Sequence, residues 1–220
     1  METAVITGAS GGLGQALTGA FLDRGWRVIC HSRTLDSVTV EAERIVRVCG
    51  DLRQCKTLNR IISAAKQYDA GVLVNNAATY LNCPIDETTP ADAFELIETN
   101  LVAPVMLTIG VWSLFKTRGG GVIVNINSLA GRNGGKGESL YCATKHGLAG
   151  FGKALQFDGT RDNVRVMEVY VGAMRTNMSA TRVDHERFID PIEVAGQVVQ
   201  SCFESHTMRL TELTITRSMY

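Results

Sequence analysis

Tyr141 and Lys145 stand four residues apart, thirteen residues after Ser128, in a chain that opens with the glycine-rich stretch TGASGGLG at Thr7 to Gly14. On a helix that spacing puts both side chains on one face, with about 5 to 6 Å between Cβ atoms. A phenol with an ordinary pKa of about 10 exchanges protons poorly near neutrality. A unit charge about 4 Å away contributes roughly 4 kcal/mol at an effective dielectric near 20, and one pKa unit is worth about 1.36 kcal/mol. The pair therefore reads as an acid–base couple in which Lys145 lowers the pKa of Tyr141, with a hydroxyl such as Ser128 polarising the group that exchanges the proton. A Tyr-x-x-x-Lys string also arises by chance on surface helices, so the surroundings carry the weight.

The elements that must position these residues are short apolar, β-branched runs alternating with longer helical segments. The runs are Ala4-Val5-Ile6, Val28-Ile29-Cys30, Ile45 to Val48, Val72-Leu73-Val74, Val122 to Ile126, Val164 to Val169 and Leu213-Thr214-Ile215. Continuous rather than alternating apolar strands indicate a parallel sheet covered on both faces. Helices are predicted over 13–24, 54–67, 91–116, 139–158 and 191–203. This order specifies an α/β fold with a doubly wound parallel sheet of about seven strands flanked by helices, a Rossmann fold forming one domain over residues 1–220. The glycine clusters at 8–14 and 131–137 fall beyond the carboxyl ends of predicted strands, where such sheets bind ligands, whereas 119–121 is a turn at the other end.

The 220 residues carry 22 Lys+Arg against 22 Asp+Glu, and 45% are hydrophobic. A balanced charge argues against nucleic acid and anionic membrane as partners. No uninterrupted apolar stretch reaches about 18 residues, which argues against a membrane span, and the first strand begins too near Met1 to leave room for a signal segment. The expectation is a cytoplasmic protein. Cysteines 30, 49, 55, 83, 142 and 202 form no CxxC pair and read as free thiols, and histidines 31, 146, 185 and 206 lack metal-ligand spacing, so no metal is expected.

Thr7 to Gly14 follows a strand and opens a helix, so its glycines permit a tight turn and close approach of a pyrophosphate to the helix N-terminus. The stretch reads TGxxxGxG, with Gly8, Gly12 and Gly14 in the glycine positions. Together with Asn75-Asn76-Ala77-Ala78, Asn100, Ser128, Tyr141 and Lys145, it resembles the short-chain dehydrogenase/reductase family over residues 3 to about 176. That resemblance implies that Tyr141 gives or takes the proton, Lys145 binds the nicotinamide ribose, and Ser128 hydrogen-bonds the substrate oxygen. It implies that Asn100 holds a water linking Lys145 to solvent. Gly8, Gly12, Leu13 and Gly14 would surround the pyrophosphate, Asp51 and Leu52 the adenine, Asn75 and Ala77 the adenosine ribose, and Thr176 the carboxamide.

NAD-preferring members of that family usually carry an aspartate at the end of the second strand. Here Ser32 takes its place and Arg33 follows, a guanidinium able to fork onto a 2′-phosphate, with Ser10 as a further donor. NADP(H) is the expected cofactor, ahead of NAD(H). Ala78 replaces the family's usual glycine, and Val171-Gly172 replaces Pro-Gly. Residues 177–190 form a short substrate lid whose charges (Arg182, Asp184, His185, Glu186, Arg187) suggest a solvated helix. The sequence ends at Tyr220 without the glycine-rich tail of tetrameric relatives, and the resemblance implies a homodimer or homotetramer through the helices that carry Asn100 and Tyr141.

The leading expectation is an NADP(H)-dependent oxidoreductase interconverting a small-molecule carbonyl and an alcohol, as a ketone or aldehyde reductase. The alternatives are a non-catalytic nucleotide sensor and an NAD-linked alcohol dehydrogenase.

Overall fold

The computed structural model describes residues 1–34, 43–203 and 208–218. All seven expected apolar runs are strands: β1 (Thr3–Ile6), β2 (Arg27–Ser32), β3 (Ile45–Cys49), β4 (Val72–Asn75), β5 (Gly121–Ser128), β6 (Val164–Val171) and β7 (Glu212–Ile215). They pair in parallel in the order β3-β2-β1-β4-β5-β6-β7. The chain reverses its direction of winding between β1 and β4, so a crevice opens above their carboxyl ends.

Helices α1 (Gly12–Asp23) and α6 (Pro191–Cys202) cover one face, packing Leu17, Phe21, Val194 and Val198 onto Ile6, Val74 and Val124. On the other face α2 (Cys55–Gln67), α4 (Ala103–Thr117) and α5 (Ser139–Asp162) lie over Val5, Leu73, Ile123 and Val166. Full burial on both sides explains the continuous apolar strands, each such side chain contributing about 1.5 to 3 kcal/mol.

Helix starts differ in a way that matters for the site. α3 (Pro90–Ile97) has a Thr89/Asp92 capping box and α6 is capped by Asp190. α1 starts at Gly11 with no side-chain cap and no acidic residue in its first turn. Its first N–H groups are left to accept an anion from the crevice.

The predicted helix over 91–116 is a run from Pro90 to Thr117 interrupted by a π turn at Glu98–Val102. Pro104 has no N–H to give the Asn100 carbonyl four residues earlier, and the helix widens there. By length and composition this run is apolar enough to cross a membrane, with a mean hydropathy of 1.4 in its best window, 39% of which is buried. Here it packs through Leu107, Val111 and Phe115 into the core beside the sheet.

Residues 177–190 are not the expected helix. They form two single 3-10 turns, Asn177–Ser179 and His185–Arg187, with Phe188 buried beneath the Arg182 and Arg217 guanidiniums. The charged side chains Arg182, Asp184, Glu186 and Arg187 are exposed, as the sequence implies, but what holds the segment is one aromatic anchor rather than an amphipathic face.

Candidate active site

The carboxyl ends of the central strands open onto a cleft of about 910 Å³. Every sequence-predicted site residue lines it except Asn75 and Asn100. Gly8 (φ +66°) turns the chain out of β1, and a Cβ on Gly14 would stand 2.1 Å from the Gly8 oxygen, so the loop closes onto α1 only with glycine there. Asn76 fastens the loop to the end of β4: its Nδ2 donates to the carbonyls of Thr7 (2.8 Å) and Gly8 (3.1 Å). The Thr176 methyl sits over the loop, 2.8 Å from where a Cβ on Gly12 would be.

Beneath the loop lies His31, which sequence reasoning passed over except to set metal binding aside. It is buried, its Nε2 shares a hydrogen bond with the Gly50 carbonyl (2.9 Å), and its Nδ1 accepts from the Gly8 N–H (3.4 Å). Burial holds its pKa below the ordinary 6.5, against the Gly50 contact and the nearby Asp51. Among the described residues no three His, Cys, Asp or Glu side chains are grouped to hold a metal; His206 lies outside the described residues.

At the far end Arg33 is exposed beside the Asp51 carboxylate. Arg53 forks onto Asp51, Nη2 to Oδ2 at 2.6 Å and Nε to Oδ2 at 2.9 Å, and holds that carboxyl below its usual range. Arg53 follows Asp51 by two residues, a local pairing the sequence displays. The Ser32 hydroxyl is committed to the Thr34 carbonyl at 2.5 Å.

Deeper in the cleft, Ser128 ends β5, its hydroxyl accepts from the Ala130 N–H (3.1 Å), and it lies near enough to Tyr141 to favour the phenolate. Tyr141 and Lys145 share one face of α5, with Nζ 5.8 Å from the centre of the phenol ring. Nζ donates to the Ile126 carbonyl (3.0 Å). Burial pushes Tyr141 up to about 12; Ser128 opposes this, and Glu138, Tyr80 and Cys142 add to it. The sequence predicts a phenol lowered by Lys145, whereas burial sets the direction of its shift and Ser128 is the group that opposes it. Lys145 itself is brought down to about 8 by burial, with Glu168 pulling the other way.

Tyr80 and Glu138, unflagged by the sequence, complete this end: the Tyr80 hydroxyl donates to Glu138 Oε1 (2.6 Å) and its ring meets Tyr141 edge-on at 5.0 Å. Asn75 is buried in the sheet and donates to Asn125 (2.9 Å). Asn100 clips the π turn to the loop after β4: its Oδ1 accepts from Thr79 N and its Nδ2 donates to Thr79 O, both 2.8 Å, and to the Thr144 hydroxyl (3.3 Å).

The tight glycine turn, the uncapped start of α1 and two guanidiniums at one end fit a dinucleotide carrying an extra phosphate. The paired hydroxyls of Ser128 and Tyr141 at the other end suit proton exchange with an oxygen.

Comparisons agree with this geometry. The family described as short chain dehydrogenase matches residues 2–187. The chain is 32% identical over 193 residues to the NADP-dependent 3-hydroxy acid dehydrogenase of Schizosaccharomyces pombe, covering 82% of this chain and 74% of that one. It is 30% identical over 212 residues to carbonyl reductase family member 4 of Xenopus tropicalis, covering 90% and 89%. A metagenomic short-chain oxidoreductase solved in complex with NADP superposes with a TM-score of 0.87 at 26% identity, covering 99% and 98%.

Proposed function

This chain belongs to the short chain dehydrogenase family, and from that premise we propose that it is an NADP(H)-dependent oxidoreductase reducing a ketone or aldehyde to the alcohol. The observation that carries the reading is the Ser128–Tyr141 hydroxyl pair standing in one cleft with Lys145 and the glycine turn. When bound, the cofactor supplies the hydride. Gly8, Gly12, Leu13 and Gly14 would hold its pyrophosphate at the start of α1, Arg33 and Ser10 would take the 2′-phosphate, and Thr176 would bind the nicotinamide carboxamide. Asp51, Leu52 and Ala77 would flank the adenosine. The relatives named as NADP-dependent 3-hydroxy acid dehydrogenase and carbonyl reductase, and the NADP complex of the oxidoreductase above, support this cofactor and reaction.

Ser128 positions the carbonyl oxygen. Tyr141, kept protonated by burial at any physiological pH, is the acid that delivers its proton to that oxygen as charge develops on it. Lys145 steadies the phenolate left behind, and Asn100, by fixing the π turn beside Thr144 on α5, positions the route by which the proton is restored. The reductive direction rests on the preference for NADP(H), with Ser32 and Arg33 in the place where a carboxylate would select NAD(H).

We further propose a homodimer: Val102, Met106 and Ile109 form an exposed apolar stripe along the π turn and α4, and Phe157 is exposed on α5. Light scattering should give twice the mass of the chain. The function is tested by a panel of carbonyl compounds, including oxo acids, acyl thioesters, quinones and diketones, read by loss of NADPH absorbance. Turnover of one class supports the reading, and NADPH binding without turnover of any class contradicts it.

A further inference from the structure

Glu168 is fully buried in β6, on the sheet face that its neighbour Val166 gives to the apolar core beneath α5. A carboxyl does not enter such a place unless it is paired. The chain makes room for it: a Cβ on Gly152 of α5 would lie 1.7 Å from Glu168 Oε1. Asn127 donates to Oε2 at 3.0 Å and Asn125 to Oε1 at 2.6 Å.

The orientation of these amides is informative. Asn127 cannot turn over, because its Oδ1 accepts the Ser128 N–H (2.9 Å) and its Nδ2 also donates to the Lys145 carbonyl (3.2 Å). Oε2 must therefore be an acceptor. Asn125 spends its Oδ1 on Asn75 Nδ2, and the ladder ends at the buried Asn75 Oδ1, which has no partner. Leaving that oxygen unpaired, at about 1 to 3 kcal/mol, is the cost of aiming two donors at Glu168. Both amides and Lys145 favour the anion, against burial, which pushes the Glu168 carboxyl up to about 7.

We propose that Glu168 is a positioning residue of the active site, whose buried carboxylate locks the Asn127 amide carrying the Ser128 N–H and the Lys145 carbonyl, and supplies the counter-charge that keeps Lys145 an ammonium. The claim rests on the reading of Ser128 and Lys145 given above. The charged groups that face Glu168 are Lys145 on α5 and Glu212 on β7, the latter already bound by Arg132 and by Lys153 of α5. Arg132 also stacks on Tyr170, whose phenol adjoins Glu168 from its own strand. Lys145 is thus the one cation facing Glu168 that no other carboxylate holds, among the described residues.

Glu168→Gln separates charge from shape. Glutamine can keep its oxygen on Asn127 while its NH2 meets Asn125, once the Asn125 and Asn75 amides turn over, so only the charge is lost. In ligand-free protein with lysines labelled by 13C at Cε, and Lys145 assigned through Lys145→Arg, the Lys145 titration midpoint should fall by about one pH unit in Glu168→Gln. An unmoved midpoint overturns the proposal. In carbonyl reduction, the ratio of wild-type to variant kcat should then be close to one near pH 6 and about tenfold near pH 9; a uniform loss at both would mark a structural role only and also overturn it. A wild type that reduces no carbonyl sinks the functional reading alone, since the midpoint still decides this one. If the variant does not fold, wild type suffices: coupled groups each show both inflections, and a single inflection at Lys145 overturns the assignment.

Discussion

Replacing Lys145 with methionine removes the cation beside Tyr141 while keeping the length of the side chain. Nζ stands 5.8 Å from the centre of the phenol ring, and at an effective dielectric near 20 a charge there attracts a full phenolate by about 3 kcal/mol. At about 1.36 kcal/mol per decade that is roughly a hundredfold in rate. A transition state carrying half of the charge would feel about half of it, so kcat should fall between about tenfold and a hundredfold. The fold should tolerate the change. The Ile126 carbonyl loses its donor at about 1 to 3 kcal/mol, but a buried ammonium that is costly to desolvate is lost with it. The assay is NADPH oxidation at saturating cofactor and carbonyl, with circular dichroism and a thermal melt as controls. A folded variant whose kcat stays within about twofold of wild type would refute the reasoning, because Lys145 would then contribute no charge to the step.

Arg33→Ala should raise KM for NADPH by about ten- to a hundredfold, the worth of a charge-assisted hydrogen bond, and leave KM for NADH nearly unchanged; equal kcat/KM for the two cofactors in wild type would remove the argument. For His31, folding favours the neutral ring, so its contribution to stability is present above pH 6.5 and is lost as pH falls through its lower folded pKa. Below that point a proton on Nδ1 would face the Gly8 N–H, so the Kd for NADPH measured by fluorescence should weaken on acidification, and His31→Asn should flatten that dependence.

Much of this molecule is written locally. The seven strands could be found because a parallel sheet covered twice needs unbroken β-branched runs, and the cleft because TGASGGLG follows β1 while Ser128 closes β5. What escaped was set across the sheet or by burial. Glu168 reads as one polar residue in an ordinary strand until its partners Asn125 and Asn127, more than forty residues away, are seen beside it. Spacing displays the charge of Lys145 beside Tyr141, but the sign of the Tyr141 shift is decided by desolvation, which no spacing reveals. The π turn at Asn100 did have a local signal in Pro104, four residues on.

The most direct measurement is Tyr141→Phe, which deletes one oxygen and leaves the ring in its edge-on contact with Tyr80. NADPH affinity by fluorescence titration should stay within about threefold of wild type, while kcat for the best carbonyl substrate should drop by about a hundredfold or more, the range of general acid catalysis. A variant that binds NADPH and turns over at a comparable kcat would contradict the assignment of Tyr141 as the proton donor.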